Sequence, residues 1–291
     1  MKGFIAKTLF FLGVMLAVNA LLFILVKLFY IRGYEEVDLN YPTYLLADSH
    51  GMPLGDFTED FDVHNFSDHG DSYLDMERKL KYLIANTDVS KVYISVDDHT
   101  LSPYREDFNN VDRSAYYTEL EDHQGLFDFL EEKYMDYYVV FLHDKYSLVI
   151  RNFLEKELFD FSKWKSQKKT RWIELSKEAQ DQKSISRAND FFPGHRRSMA
   201  LTTSLKNIIS LCKENGIELI GVRFPLSQSF HKVIGSKSYR ADEIFYKEGL
   251  LVQDYDSLYL GQDAFFRDQD HLEREVGAKF AEILFEGTEK D

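Results

Sequence analysis

The first apolar run of the chain is long enough to cross a membrane. Residues 8–30 read TLFFLGVMLAVNALLFILVKLFY, and only Asn19 and Lys27 interrupt the apolar side chains. As a helix this run rises about 34 Å, against a bilayer core of about 30 Å. A cleaved signal peptide would have a shorter apolar core and a small-x-small cleavage site, which residues 28–32 do not provide. The pattern therefore predicts an uncleaved membrane anchor.

Basic residues at the ends of this run favour a cytoplasmic N-terminus. Lys2, Lys7 and the α-amino group precede the run, whereas Lys27 and Arg32 lie at its far end. The positive-inside rule then predicts a single pass with the N-terminus inside. We expect an anchor over 1–34 and an exported domain over 35–291, on the periplasmic or extracellular face.

Beyond the anchor, short β-type runs alternate with amphipathic stretches. The runs predict strands at 43–47, around 61–66, and at 91–96, 137–142, 217–224 and 250–255. Helical spacing of apolar residues predicts helices over 71–86, 126–134, most of 145–182, 198–215 and 273–285. Such alternation indicates an α/β fold, in which a mostly parallel sheet is covered by helices on both faces.

Composition limits the classes of partner. The formal net charge is −14, from 49 acidic and 35 basic side chains, so the chain would repel a nucleic acid backbone. We therefore expect no nucleic acid partner. The one cysteine, Cys212, cannot form an intramolecular disulfide, and it lies on an apolar helical face where a buried thiol is expected.

Residues suited to nucleophilic catalysis lie near the two ends of the predicted domain. Ser49 follows the first predicted strand directly, and open α/β sheets bind ligands at the carboxyl ends of their strands. Asp268 precedes His271 by three residues in the loop before the last helix. A nucleophilic serine needs a base and a group that orients the base, so these three residues form a candidate triad. The alternative is that they are ordinary turn and capping residues.

The same residues carry a resemblance to a known family. The D-S within 47–50, after the first strand, and the D-x-x-H of Asp268 and His271, before the last helix, resemble the outline of the SGNH/GDSL esterases and acyltransferases. The His-Leu followed by a glycine-containing helix, 271–279, is similar as well. The resemblance implies a flavodoxin-like three-layer α/β/α fold and acyl transfer through Ser49, without a cofactor.

In that family a glycine, an asparagine and the backbone amide of the serine hold the oxyanion. Gly70 matches the glycine. Asp97 stands in the region of the asparagine, where an ionised carboxylate would repel the developing negative charge. Asn65 and His99 are the nearby substitutes. The glycine that the family places before its D-S is Ala47 here.

A single-span anchor with an exported domain resembles the branch of the family that modifies cell-envelope polymers. The resemblance implies a serine O-acyltransferase or esterase that acts on a cell-envelope polysaccharide, with a membrane-bound O-acyltransferase as a partner. The alternative, which Asp97 favours, is a catalytically inactive module that binds a glycan or scaffolds such a complex. No metal is expected, because His64 and His69 match no metal-ligand spacing.

Overall fold

The computed structural model describes residues 1–155 and 170–286, which form two compact units. One unit contains Met1–Val37 and the segment that starts at Asp112, and the other contains Asp38–Val111 and the described residues from 170 onward. The predicted division into an anchor, 1–34, and an exported domain, 35–291, concerns the membrane and stays a prediction. The helix predicted over 145–182 falls partly on 156–169, which lie outside the described residues.

A five-stranded parallel sheet forms the centre of the second unit. The strands are β1 Thr43–Leu46, β2 Val63–Asn65, β3 Lys91–Ser95, β4 Glu218–Arg223 and β5 Val252–Asp254. Their order is β2-β1-β3-β4-β5, which is that of flavodoxin-like doubly wound sheets. Leu45 in β1 pairs with Asn65 on one side and Tyr93 on the other. The predicted α/β fold with a parallel sheet is confirmed.

Three helices of this unit, Tyr73–Asn86, Met199–Glu214 and Arg274–Glu286, begin and end close to the predicted positions, and the shorter ones were not predicted. The α-helices are Tyr73–Asn86, Pro103–Asp107, Lys177–Phe191, Met199–Glu214, Gln228–Ile234, Ala241–Lys247 and Arg274–Glu286, and the 3-10 helices are Met52–Phe61, Trp172–Glu174 and Asp263–Phe265. Ser198 caps its helix by accepting the backbone N–H of Leu201, and Gly216, at φ +68°, follows the end of the same helix. Cys212 is buried there as expected, and burial raises the pKa of its thiol to about 12.

The first unit is built on the apolar helix. Lys2–Val26 continues through a π-helical turn, Lys27–Ile31, into Arg32–Glu35, and the 34-residue whole is long and apolar enough to cross a membrane. The other elements are short helical segments, and the first of them starts at the boundary between the two units. They are Val111–Ser114, Ala115–Tyr117, Leu120–Asp122, Leu126–Leu130, Glu131–Asp136, Val140–Leu142 and Asp144–Phe153.

The strand predicted over 137–142 is wrong. Residues 137–138 complete a helical segment, and Val140–Leu142 is a 3-10 turn. Tyr137 and Val140 are buried in a cluster with Val26 of the apolar helix. A short apolar run has the same appearance in a buried strand and in a helical segment packed on another helix, so periodicity did not separate the two.

Candidate active site

Ser49 lies in a tight turn directly after β1. The turn is closed by the backbone N–H of Gly51, which donates to the carbonyl of Asp48 at 3.1 Å. Gly51 has no room for a side chain, because a Cβ there would lie 2.4 Å from Ser67 Oγ and 2.8 Å from Ala47 Cβ. Close packing of the turn on the next loop therefore fixes the serine at the carboxyl edge of the sheet.

His271 is positioned by its own loop and by the helix that follows. Asp268 Oδ1 accepts the backbone N–H of His271 at 3.0 Å. The helix Arg274–Glu286 then approaches the 3-10 helix after Ser49 so closely that a Cβ on Gly277 would lie 2.0 Å from the carbonyl oxygen of Pro53. Glycine at this position is what lets the two segments that carry the serine and the histidine meet.

Ser49, His271 and Asp268 form one hydrogen-bonded line. Ser49 Oγ lies 2.8 Å from His271 Nε2, and Asp268 Oδ1 lies 2.7 Å from His271 Nδ1. Both the serine and the histidine are buried. The arrangement fits a hydroxyl beside a general base whose ring is oriented by a carboxylate. The structure thus brings together the three residues that the sequence nominates.

A second carboxylate, that of Asp270, lies on the same imidazole nitrogen and was not predicted from the sequence. Asp270 Oδ1 lies 3.2 Å from His271 Nδ1, and the Asp270 side chain is fully buried. Arg187 Nε donates to the other carboxylate oxygen at 2.9 Å, and Gln269 Nε2 donates to Oδ1 at 3.0 Å. The D-Q-D-H sequence displays this aspartate, but no spacing pattern links it to Arg187, 83 residues away.

Behind the triad lies a buried histidine between two carboxylates. His50 Nδ1 lies 2.7 Å from Asp97 Oδ2, and His50 Nε2 lies 3.7 Å from Asp270 Oδ2. The second oxygen of Asp97 accepts the backbone N–H of Phe224 at 2.7 Å. Both oxygens of Asp97 are therefore engaged, and a direct role at an oxyanion would require these contacts to be exchanged.

Asp48 anchors a second polar cluster on the other side of the serine turn. Its Oδ2 lies 3.2 Å from His99 Nε2 and 3.3 Å from Arg105 Nη2, and its Oδ1 accepts the backbone N–H of His50 at 3.0 Å. His99 stacks on Phe191 with ring centroids 4.0 Å apart. His99 is thus held as a structural partner of Asp48, and sequence spacing gave no indication of that pairing.

Asn65 is the last residue of β2, and Gly70 lies in the loop that follows. Gly70 has a φ of +97°, a backbone conformation that favours glycine. The amide of Asn65 donates to the carbonyls of Gly51 at 2.9 Å and Gly55 at 3.4 Å, so it braces the serine turn. Because this amide is engaged, the backbone N–H groups of Ser49 and Gly70 are the better candidates for oxyanion donors.

Charge on the His271 imidazole is controlled by the two carboxylates beside it. Burial by itself would lower the pKa of His271, but Asp270 and Asp268 outweigh burial and raise it above the ordinary value of 6.5. Burial would likewise raise the pKa of Asp270, yet His271 and its other cationic neighbours hold it well below the usual range. The two ionised carboxylates therefore stabilise the protonated form of His271 relative to a free imidazole.

The pKa of the buried His50, like that of His271, is raised by neighbouring carboxylates. Burial would lower its pKa, but Asp48, Asp97 and Asp270 raise it well above 6.5.

Two trios of possible metal ligands lie here, one of Asp48, His50 and His99 and one of His50, Asp270 and His271. In both trios the donors already pair with one another, and arginines bind the Asp48 and Asp270 carboxylates, so the pairing accounts for the cluster without a cation.

A cavity of about 420 Å³ opens beside Ser49. Apolar side chains form part of its lining, and charged or ionisable groups form the rest; the lining is Ser49, Met52, Pro53, His69, Arg267, Leu272, Glu273 and Arg274. A cavity with this lining offers contacts to a ligand that has both apolar and polar parts.

Comparisons with known proteins do not assign the chain to a family. No protein-family model matches the chain, and no curated protein matches it. Among solved structures, one similar chain is described as a "putative acylhydrolase" from Bacteroides fragilis NCTC 9343, with a TM-score of 0.40 and 12% identity over 90% of this chain and 94% of that chain. A likeness this remote says nothing about which residues act.

Proposed function

We propose that this protein is a membrane-anchored SGNH-like serine acyltransferase or esterase that acts on O-acyl groups of a cell-envelope polysaccharide or related polymer. The observation that carries the proposal is the 2.8 Å approach of His271 Nε2 to Ser49 Oγ at the carboxyl end of β1. The sequence resemblance at D-S and D-x-x-H supports the same chemistry, and the apolar N-terminal helix supports the anchor.

The proposed reaction is acyl transfer in two steps. His271 takes the proton of Ser49 while the oxygen attacks the carbonyl carbon of an ester, and Asp268 and Asp270 stabilise the imidazolium. Backbone N–H groups of Ser49 and Gly70 would donate to the oxyanion. Collapse of the tetrahedral intermediate breaks the ester bond, and His271 returns the proton to the leaving alcohol. A sugar hydroxyl, or water in an esterase, then attacks the acyl-serine by the same route.

One observation favours a second candidate, a catalytically inactive module that binds a glycan or scaffolds a membrane-bound O-acyltransferase. Asp97, which stands in the region of the family's asparagine, is engaged with His50 and Phe224, and the nearby substitute Asn65 is engaged with the carbonyls of Gly51 and Gly55. Loss of one oxyanion donor costs about 100- to 1,000-fold in rate, so a site limited to backbone donors would be slow.

Fluorophosphonate labelling of the full-length protein in detergent separates the two candidates. The reagent forms a stable covalent bond only with an activated serine. We expect the wild type to label and Ser49→Ala not to label. Ser236→Ala, which removes an exposed hydroxyl after the helix Gln228–Ile234, is the matched control and should label like the wild type. Labelling retained in Ser49→Ala, or a folded wild type that does not label, would overturn the enzymatic proposal and favour the inactive module.

A further inference from the structure

The apolar helix is packed by its own unit along only part of its length. Residues 1–18 are all exposed, and among the described residues the first side-chain hydrogen bonds from this helix to the rest of its unit are those of Asn19. Asn19 Nδ2 donates to the carbonyl of Tyr138 at 2.9 Å, and Asn19 Oδ1 accepts the backbone N–H of Val140 at 2.9 Å. Val26, Ile31 and Tyr34, further along the same helix, are buried. A stretch exposed all round is thus followed by one that is packed on a single face, with Asn19 at the change, while Leu21, Ile24, Leu28 and Phe29 on its other face stay exposed.

The exposed stretch has the length of a bilayer core. Residues 3–20 rise about 27 Å as a helix, close to the hydrocarbon thickness of about 30 Å. Lys7 is near one end, where its stem can carry the ammonium group to the headgroups. A span over 8–30 would instead draw the charged groups packed around the far end of the helix, such as the Lys27–Glu35 and Lys145–Asp112 pairs, toward hydrocarbon.

The segment that contacts Asn19 exposes its own apolar side chains. Phe141 and Leu142, directly after Val140, are 53% and 57% exposed. In the preceding helical segment, exposed apolar and aromatic residues recur at helical spacing, at Phe127, Leu130, Tyr134 and Tyr138, with acidic residues between them. Tyr138 also lies against Phe23 of the long helix, with ring centroids 5.0 Å apart.

We propose that the bilayer covers residues 3–20 and that the segment 126–142 lies in the lipid interface at the Asn19 end of this span. The occupant of its apolar face is the boundary between phospholipid headgroups and acyl chains. Amphipathic helices bind there through their apolar face, and tyrosines favour the same depth. Because the polar face is acidic, binding should not depend on anionic lipid.

Depth-dependent fluorescence quenching tests the proposal on the whole chain. The protein is placed in phosphatidylcholine nanodiscs, one copy to a disc, and bromine atoms on the acyl chains quench a nearby fluorophore. Cys212→Ala removes the native thiol, and a bimane label is attached in turn at Leu16→Cys, Phe141→Cys, Leu142→Cys or Arg32→Cys. Arg32 is exposed on the same helix, about 20 Å beyond Asn19, and serves as the control outside the membrane.

We expect strong quenching at 16, at least about twofold quenching at 141 and 142, and little at 32, since only the first three would reach acyl chains. The pattern should persist in discs that contain phosphatidylglycerol. Quenching at 16 without quenching at 141 and 142 would overturn the interfacial segment and favour a protein partner on this face. Quenching at 32 equal to that at 16 would overturn the register of the span.

Discussion

The two units of this chain depart from ordinary burial in opposite directions. The α/β unit encloses ionisable groups, among them Asp270 and His50, with almost no exposure. The helical unit instead exposes large apolar groups, with Phe127 at 87% and Phe10 at 75%. Buried charge is costly unless it is paired, and exposed apolar surface is costly in water. The buried ionisable groups therefore indicate a polar site inside the α/β unit. The exposed apolar groups indicate that an apolar environment covers part of the helical unit.

The two units also differ in their hydrogen bonds, which join charged groups in the α/β unit and neutral groups in the helical unit. In the α/β unit, carboxylates and imidazoles are linked through several partners, so the loss of one group leaves other charges unpaired. In the helical unit, Asn19 binds the backbone of 138–140 through one amide, and its loss leaves neutral groups. Substitutions in the first network should accordingly cost more than substitutions in the second.

The largest effect is expected from Asp270→Asn. The neutral amide would leave Arg187 without its buried carboxylate partner and would remove one of the two carboxylates beside His50, so we expect a loss of about 3–5 kcal/mol in the free energy of unfolding. Asp268, whose side chain is 35% exposed, is the matched comparison. Asp268→Asn should lose about 1 kcal/mol or less. Both free energies can be measured by urea denaturation of the detergent-solubilised protein.

The same pair of variants shows which carboxylate orients the base. Asp268 is the nearer to His271 Nδ1, at 2.7 Å against 3.2 Å. Labelling of Ser49 by fluorophosphonate should therefore slow by up to about 10⁴-fold in Asp268→Asn while the fold persists. Equal losses of stability in the two variants, with no loss of labelling in Asp268→Asn, would show that Asp270 alone serves the triad.

Gly277→Ala should destabilise the α/β unit although it stands in a helix. Alanine normally stabilises an exposed helix relative to glycine by about 1 kcal/mol. Here the added Cβ would lie 2.0 Å from the carbonyl oxygen of Pro53, so we expect a loss of about 3 kcal/mol and slower labelling of Ser49. Gly194→Ala is the control, because nothing lies within 4 Å of its added Cβ. Similar melting temperatures for the two variants would contradict the close approach.

Activity should fall as the pH decreases through the raised pKa of His271. The base must be neutral to accept the Ser49 proton, and carboxylates raise its pKa above 6.5, so kcat/KM for a p-nitrophenyl ester should lose a factor of ten per pH unit below that pKa. In Asp268→Asn the acid limb should move to lower pH, because one stabilising carboxylate is gone. An acid limb that stays in place in Asp268→Asn would mean that another group titrates.

Much of the fold was accessible from the sequence because its signals are local. Runs of β-type residues between amphipathic helices located all five strands of the parallel sheet, and the D-S and D-x-x-H motifs nominated Ser49, Asp268 and His271. Ser49 follows β1 at the carboxyl edge of the sheet, and the loop before the last helix brings Asp268 and His271 to it.

Pairings between distant segments were not accessible. Arg187 on Asp270 and His99 on Asp48 join residues 83 and 51 positions apart, and neither has a spacing rule. The strand expected at 137–142 failed for a related reason. Its apolar residues pack on a helix more than 100 positions earlier, and that contact, rather than local periodicity, decides its conformation.

The smallest effect is expected in the helical unit, from Asn19→Ala. The substitution removes the acceptor for the Val140 N–H and the donor to the Tyr138 carbonyl, while the helix keeps its apolar character. Polar contacts between helices in membranes are worth about 0.6 kcal/mol on average and about 1.7 kcal/mol at most. Hydrogen exchange at the Val140 amide, measured in nanodiscs, should therefore become about 3- to 20-fold faster, while exchange in β3 stays the same. Unchanged exchange at Val140 would mean that Asn19 does not stabilise the segment 138–140. Faster exchange in β3 would mean that the substitution also destabilises the α/β unit.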